Sequence, residues 1–157
     1  MNGRLPNRIC CSRENNVVST CVHVALIDDV ERRRIALARL LSSAGFQPAA
    51  FASAEEFLNH ANDLRFDCLL LDVHLPGHSG LEVLRVLRRN GERTPVVFLI
   101  ADQDRARHKD LRHAGVTCLV KPPDDVTLFR AITTAVDSSA DNLRGEHRPA
   151  FGSSRHR

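Results

Sequence analysis

Short, almost unbroken apolar runs alternate along this chain with longer stretches whose apolar residues recur at helical spacing. "VHVALI" (22–27) predicts a first strand, and "RRRIALARLLSSAG" a helix with Leu37, Leu40, Leu41 and Ala44 on one side. Gly45 follows where a helix-terminating glycine belongs. "FQPAAF" predicts a second strand, and Pro48, which has no amide hydrogen to donate, puts it at a sheet edge. "SAEEFLNHA" opens a short helix with Ser53 and Glu56 at capping-box spacing. "FDCLLLD" is a third strand, and "SGLEVLRVLRRNG" a helix with Leu81, Leu84 and Leu87 along one side. "PVVFLIA" and "VTCLVK" supply two more strands, separated by a very polar helix, "DQDRARHKDLRHAG", ending at Gly115. "DDVTLFRAITTAV" is the last helix.

Strands alternating with helices imply parallel βαβ units joined by right-handed crossovers. Nearly continuous apolar strands agree with a sheet covered on both faces. The expectation is one α/β domain over residues 21–138. Residues 1–20 read as a flexible N-terminal extension, or as sequence upstream of the true start, and residues 139–157 as a flexible polar tail.

In folds of this kind ligands bind beyond the carboxyl ends of the strands, where strand order reverses. Those ends carry Asp28-Asp29, Asp72, Ile100-Ala101 and Lys121-Pro122. Taken singly, each aspartate is an ordinary helix cap and the lysine an ordinary loop charge. Taken together, three carboxylates on one edge repel one another unless a cation or proton lies between them. Hard oxygen ligands with room for water suit Mg²⁺, and a nearby lysine suits an anion brought to it, most simply a phosphoryl group.

Composition removes several other classes. A formal charge of +3, with both signs interspersed, is too mild for direct nucleic-acid binding. Without Trp or Tyr there is little to stack on bases or sandwich a flavin. No run approaches the ~20 apolar residues of a membrane helix, and no apolar leader opens the chain, so a cytoplasmic protein is expected. Five cysteines without a CxxC pairing read as reduced thiols. Cys68 and Cys118 sit in apolar runs as small hydrophobes, whereas Cys10, Cys11 and Cys21 belong to the N-terminal segment.

Asp28-Asp29, the "DVHLPGHSG" loop from Asp72 and Lys121-Pro122, at this spacing, resemble the receiver domains of two-component response regulators. The likeness extends over about residues 22–137 and implies a flavodoxin-like (βα)5 fold with strand order 2-1-3-4-5. By that resemblance Asp72 is the phosphoacceptor, taking a phosphoryl group from a histidine kinase or histidine phosphotransfer protein as an acyl phosphate. Asp29, Asp72 and the backbone carbonyl of His74 ligate Mg²⁺, Asp28 acts through metal-bound water, and Lys121 contacts the phosphoryl oxygens. Pro76 and Gly77 turn the loop after the nucleophile, Gly80 lets the next helix start close to it, and Pro122 aims the lysine through a cis peptide bond.

Two positions depart from the family pattern. Receivers carry Ser or Thr at the end of the fourth strand and Phe or Tyr three residues before the lysine; here these are Ile100 and Cys118, although the small residue expected next is present as Ala101. The leading expectation is a stand-alone, non-enzymatic receiver that signals to a downstream protein not yet specified, by protein–protein contact. The alternative is a degenerate receiver, an interaction module free of phosphorylation control. A Mg²⁺-dependent phosphatase or phosphotransferase with Asp72 as nucleophile would want a second acid two residues on, where His74 stands. His74 and His78 form a weak zinc signal. Arg105, Arg107, His108, Lys109, Arg112 and His113 make the polar helix either a solvated face or a basic docking surface. The face formed by the fourth helix, fifth strand and fifth helix is the expected site of any homodimer.

Overall fold

A computed structural model of the chain describes residues 9–10, 19–60, 65–104, 106, 109, 111–112 and 116–146. The first described elements are two short strands, β1 (Ile9–Cys10) and β2 (Ser19–Thr20), paired antiparallel. These four residues are paired as strands within the stretch expected to be a flexible extension. β-branched Ile9 and Thr20 favour extended backbone, but two-residue strands are too short to leave a visible period. The remainder of residues 1–20 lies outside the described residues.

The centre of the fold is a five-stranded parallel sheet of β3 (His23–Ile27), β4 (Gln47–Phe51), β5 (Cys68–Asp72), β6 (Val96–Ile100) and β7 (Thr117–Val120), ordered β4-β3-β5-β6-β7. Counted within the sheet this is 2-1-3-4-5, the flavodoxin-like order. Pro48 lies in edge strand β4, in register with Val24, as its missing donor requires.

The leucine-rich strands look featureless in sequence because both of their faces are covered. Within them the side chains divide by period two. Ala25, Ile27, Leu69, Leu71, Phe98 and Ile100 join one core cluster, with Phe57 of α2 (Ala54–His60) and Val83 and Leu87 of α3 (Gly80–Arg89). Val24, Leu26, Cys68, Leu70, Val97 and Leu99 join the other, with Leu37 and Leu41 of α1 (Glu31–Ser43) and Leu128 and Ile132 of the C-terminal helix (Asp125–Glu146). Each such large side chain stabilises by about 1.5–3 kcal/mol. The two-sided burial therefore holds the strand ends, and the residues on them, in a rigid frame.

The helices refine several expectations. In α1 the buried stripe is Leu37 and Leu41; Leu40 is half-buried and Ala44, the C-terminal cap, is exposed. In α3 it is Val83 and Leu87, with Leu81 and Leu84 packed at its margins. The expected capping box of α2 is half made: Ser53 Oγ accepts from Glu56 N (3.1 Å), but the Glu56 carboxylate accepts from Ala52 N (2.8 Å). The complete box is at α3, where Ser79 Oγ and the Glu82 carboxylate accept each other's backbone N–H. The C-terminal helix continues to Glu146, past the expected boundary at 138, because extending a formed helix costs little even through polar sequence.

Candidate functional site

β3, β5 and β7 deliver Asp28, Asp29, Asp72 and Lys121 to one end of the sheet, as parallel-sheet geometry requires. Asp28 and Asp72 are buried and Asp29 is exposed; one carboxylate oxygen from each lies within 4.8 Å of the others. The Asp72 carboxylate accepts at Oδ1 from His74 N (2.9 Å) and at Oδ2 from Lys121 Nζ (2.8 Å). Lys121 is positioned by its own backbone, whose N–H donates to Ile100 O (2.8 Å), and the Lys121–Pro122 peptide is cis.

The loop after Asp72 owes its path to two glycines of different function. Gly77 turns the chain at φ +81°, a conformation costly for residues with a Cβ. Gly80 is needed for close approach: a Cβ there would lie 2.8 Å from Asp72 O, 2.8 Å from Phe98 Cε1 and 3.1 Å from Val73 Cα. Its N–H donates to Val73 O (2.9 Å), so α3 begins directly against the strand end that carries Asp72. Pro76 is exposed between them.

Sequence reasoning did not identify Arg33. From the first turn of α1 its guanidinium reaches back to both buried acids: Nε donates to Asp28 Oδ2, Nη2 to Asp28 Oδ1 (2.9 Å) and Nη2 also to Asp72 Oδ2 (2.7 Å). The hydrogen bond to Asp28 raises the Arg33 pKa; burial opposes it, and the charges of Asp28, Asp72 and Asp29 reinforce it. Arg34 adds a bond from Nη1 to Asp28 O (2.8 Å), and Asp28 Oδ1 accepts from Val30 N (2.9 Å). A signal was present in the sequence. Three consecutive arginines at a helix N-terminus oppose the helix dipole, and so point to anionic partners.

The remaining positions separate. The His74 side chain is turned from the acids to Asp104, with Nε2 2.6 Å from Oδ2, linking the loop after β5 to the 3-10 turn after β6 (Asp102–Asp104). His78 is half-exposed, 3.4 Å from Glu82 and 3.8 Å from Glu55, so the two histidines do not converge as zinc ligands. Ile100 is fully buried among apolar side chains, and Ala101 is half-buried beside it. Cys118 packs against the same cluster with its thiol facing Val116 O (3.8 Å), and burial pushes its pKa up to about 11. Burial pushes the Cys68 thiol up to about 12. Of the basic helix, Lys109 and Arg112 are exposed and Leu111 is buried; Arg105, Arg107, His108 and His113 lie outside the described residues.

A 2-1-3-4-5 parallel sheet with an acid cluster and a lysine at its carboxyl edge defines a class of signalling domain. The chain belongs to the response regulator receiver domain family, whose model matches residues 24–133. It is 34% identical over 114 residues to the response regulator protein TmoT of Ectopseudomonas mendocina, covering 72% of this chain and 52% of that one. Full-length FixJ from B. japonicum superposes with a TM-score of 0.73 at 29% identity, over 80% of this chain and 62% of that one. A response regulator receiver protein from Burkholderia phymatum superposes with a TM-score of 0.66 at 33% identity, over 74% of this chain and 95% of that one. The chain spans about half the length of the curated relatives it matches first. Among the described residues no helix is long and apolar enough to cross a membrane.

Proposed function

We propose that Asp72 accepts a phosphoryl group in a Mg²⁺-dependent reaction, from the phosphohistidine of a histidine kinase or phosphotransfer protein, and that the modified domain signals by binding another protein. The observation that carries this reading is the shared Oδ2 of Asp72. A buried carboxylate at a strand end, 2.8 Å from Lys121 and within 4.8 Å of the oxygens of Asp28 and Asp29, supports a nucleophile over a helix cap.

An Asp72 oxygen attacks phosphorus, the P–N bond to the donor imidazole breaks, and the electron pair leaves with the ring nitrogen. Lys121, already within hydrogen-bond distance of that carboxylate, takes the transferred oxygens and offsets their charge. The donor set suits a hard divalent ion: Asp29, Asp72 and the His74 carbonyl would hold it directly, with Asp28 contributing through water. Such an ion would neutralise charge shared between the acids and the phosphoryl group. Gly80 and the buried frame keep Asp72 from being pushed away.

The test is incubation with Mg²⁺ and acetyl phosphate followed by intact-mass measurement. The expected result is a single labile phosphoryl adduct, absent in Asp72→Asn and suppressed by a metal chelator. An adduct that persists in Asp72→Asn would reject Asp72 as the acceptor.

A second reading, a receiver freed from phosphorylation control, is favoured by one observation. Ile100, the position to which the resemblance assigns the family's hydroxyl, carries a fully buried aliphatic side chain. Absence of any adduct under conditions that modify a receiver with the usual hydroxyl would select it.

A further inference from the structure

Resting on the reading that Asp28, Asp29 and Asp72 hold a divalent ion, we infer that Arg33 is a built-in competitor for that ion and sets the affinity of the site. Two of the three carboxylates that would serve the metal, Asp28 and Asp72, are already engaged. Arg33 donates to both oxygens of Asp28 and to Asp72 Oδ2, the atom that Lys121 also contacts. A metal that draws on these carboxylates must take them from the guanidinium. Arg33 is also the side chain best placed to yield: it is 33% exposed, whereas Asp28 and Asp72 are 0% and 1%.

The structure provides somewhere for it to go. A cavity of about 390 Å³ adjoins the site, lined by Arg33 itself with Leu37, Leu40, Leu99, Lys121 and Pro122. The aliphatic stem of Arg33 can lie along this apolar wall while its charged end turns outward to water. Exchange of the guanidinium for a divalent ion then needs a side-chain rotation from α1 and no movement of the sheet. Arg33 is in this sense a positioning residue: it holds two acids together and releases them to the metal.

The experiment is calorimetric titration of Mg²⁺ into the whole chain and its Arg33→Ala, Arg33→Gln and Arg32→Ala variants, with circular dichroism confirming that each is folded. Arg33→Gln keeps the inner part of the side chain and a neutral hydrogen-bonding end without the charge, and Arg32 is an exposed cation on the same helical turn. Both Arg33 variants are expected to bind Mg²⁺ about tenfold more tightly than the wild type, the scale of losing a competing charge-assisted hydrogen bond, and Arg32→Ala within about twofold. Unchanged or weaker binding by the Arg33 variants would overturn the inference while leaving the metal site intact. Equal tightening in Arg32→Ala would also overturn it, since the effect would be general charge. Failure of all four proteins to bind Mg²⁺ would reject the metal reading itself, and the competition with it.

Discussion

Adding one methyl group at Gly80 measures how tightly α3 is held against the strand carrying Asp72. In Gly80→Ala the new Cβ starts 2.8 Å from Asp72 O and 2.8 Å from Phe98 Cε1, against roughly 3.5–4.0 Å for an unstrained carbon–carbon contact. Phe98 is fully buried and Asp72 O is backbone, so neither neighbour can swing aside. Overpacking of this kind costs about 1–3 kcal/mol. Alanine recovers roughly 0.5–1 kcal/mol of that through its helix propensity. The midpoints of the two ranges leave a loss of about 1.2 kcal/mol, or a Tm lower by roughly 3–6 °C for a domain of this size. Far-UV circular dichroism in urea and on heating is the suitable assay, because the chain has neither Trp nor Tyr to report by fluorescence. Relief of the clash must also move the backbone at Asp72 or Val73, so phosphorylation should slow in the same variant. Stability equal to or above wild type would refute the close-approach argument for Gly80.

Three further outcomes follow from the same geometry. Ile100→Thr exchanges buried aliphatic surface for a hydroxyl and should cost about 1–3 kcal/mol in urea denaturation; on the reading that Ile100 removes the family's hydroxyl contact to the phosphoryl group, this variant gains a phosphorylation-dependent change in hydrogen exchange over residues 101–112 that the wild type lacks. Cys118, with its pKa raised to about 11, should be alkylated near pH 8 far more slowly than a cysteine in an unstructured peptide, as followed by mass spectrometry. Asp124 caps the C-terminal helix through Thr127 Oγ1 (2.6 Å) and Thr127 N (3.0 Å), and those bonds lower its pKa below the ordinary 3.8. A lowered carboxylate pKa stabilises above the unfolded value and loses that contribution as pH falls through the folded one, so the Tm gap between wild type and Asp124→Ala should be present at neutral pH and close below about pH 4.

The ends of the strands were legible in the sequence because an apolar run that stops at a charged residue marks both the element and its edge. The strand-end positions of Asp28, Asp29, Asp72 and Lys121 follow that way, whereas Gly80 follows only from the family resemblance. Arg33 was legible only as one of three adjacent arginines; which of them turns back from α1 to the acids is a direction that no spacing rule encodes. The His74–Asp104 link, 30 residues apart in the chain, is hidden for the same reason. The division of "CLLLD" into two cores was also invisible, because burial on both faces removes the alternation that would reveal it. The last helix runs past residue 138 because a helix already anchored by Leu128 and Ile132 propagates through polar sequence, which makes polar composition a poor stop signal.

The claim on which the rest depends is that Asp72 carries the phosphoryl group. Borohydride reduction of the acetyl-phosphate-treated protein converts an aspartyl phosphate to homoserine, which tandem mass spectrometry locates by residue. The account predicts homoserine at position 72, formed only with Mg²⁺ and at no other acid. Homoserine at Asp28 or Asp29, or a wild-type protein unchanged at 72 while a known receiver is modified beside it, would contradict it.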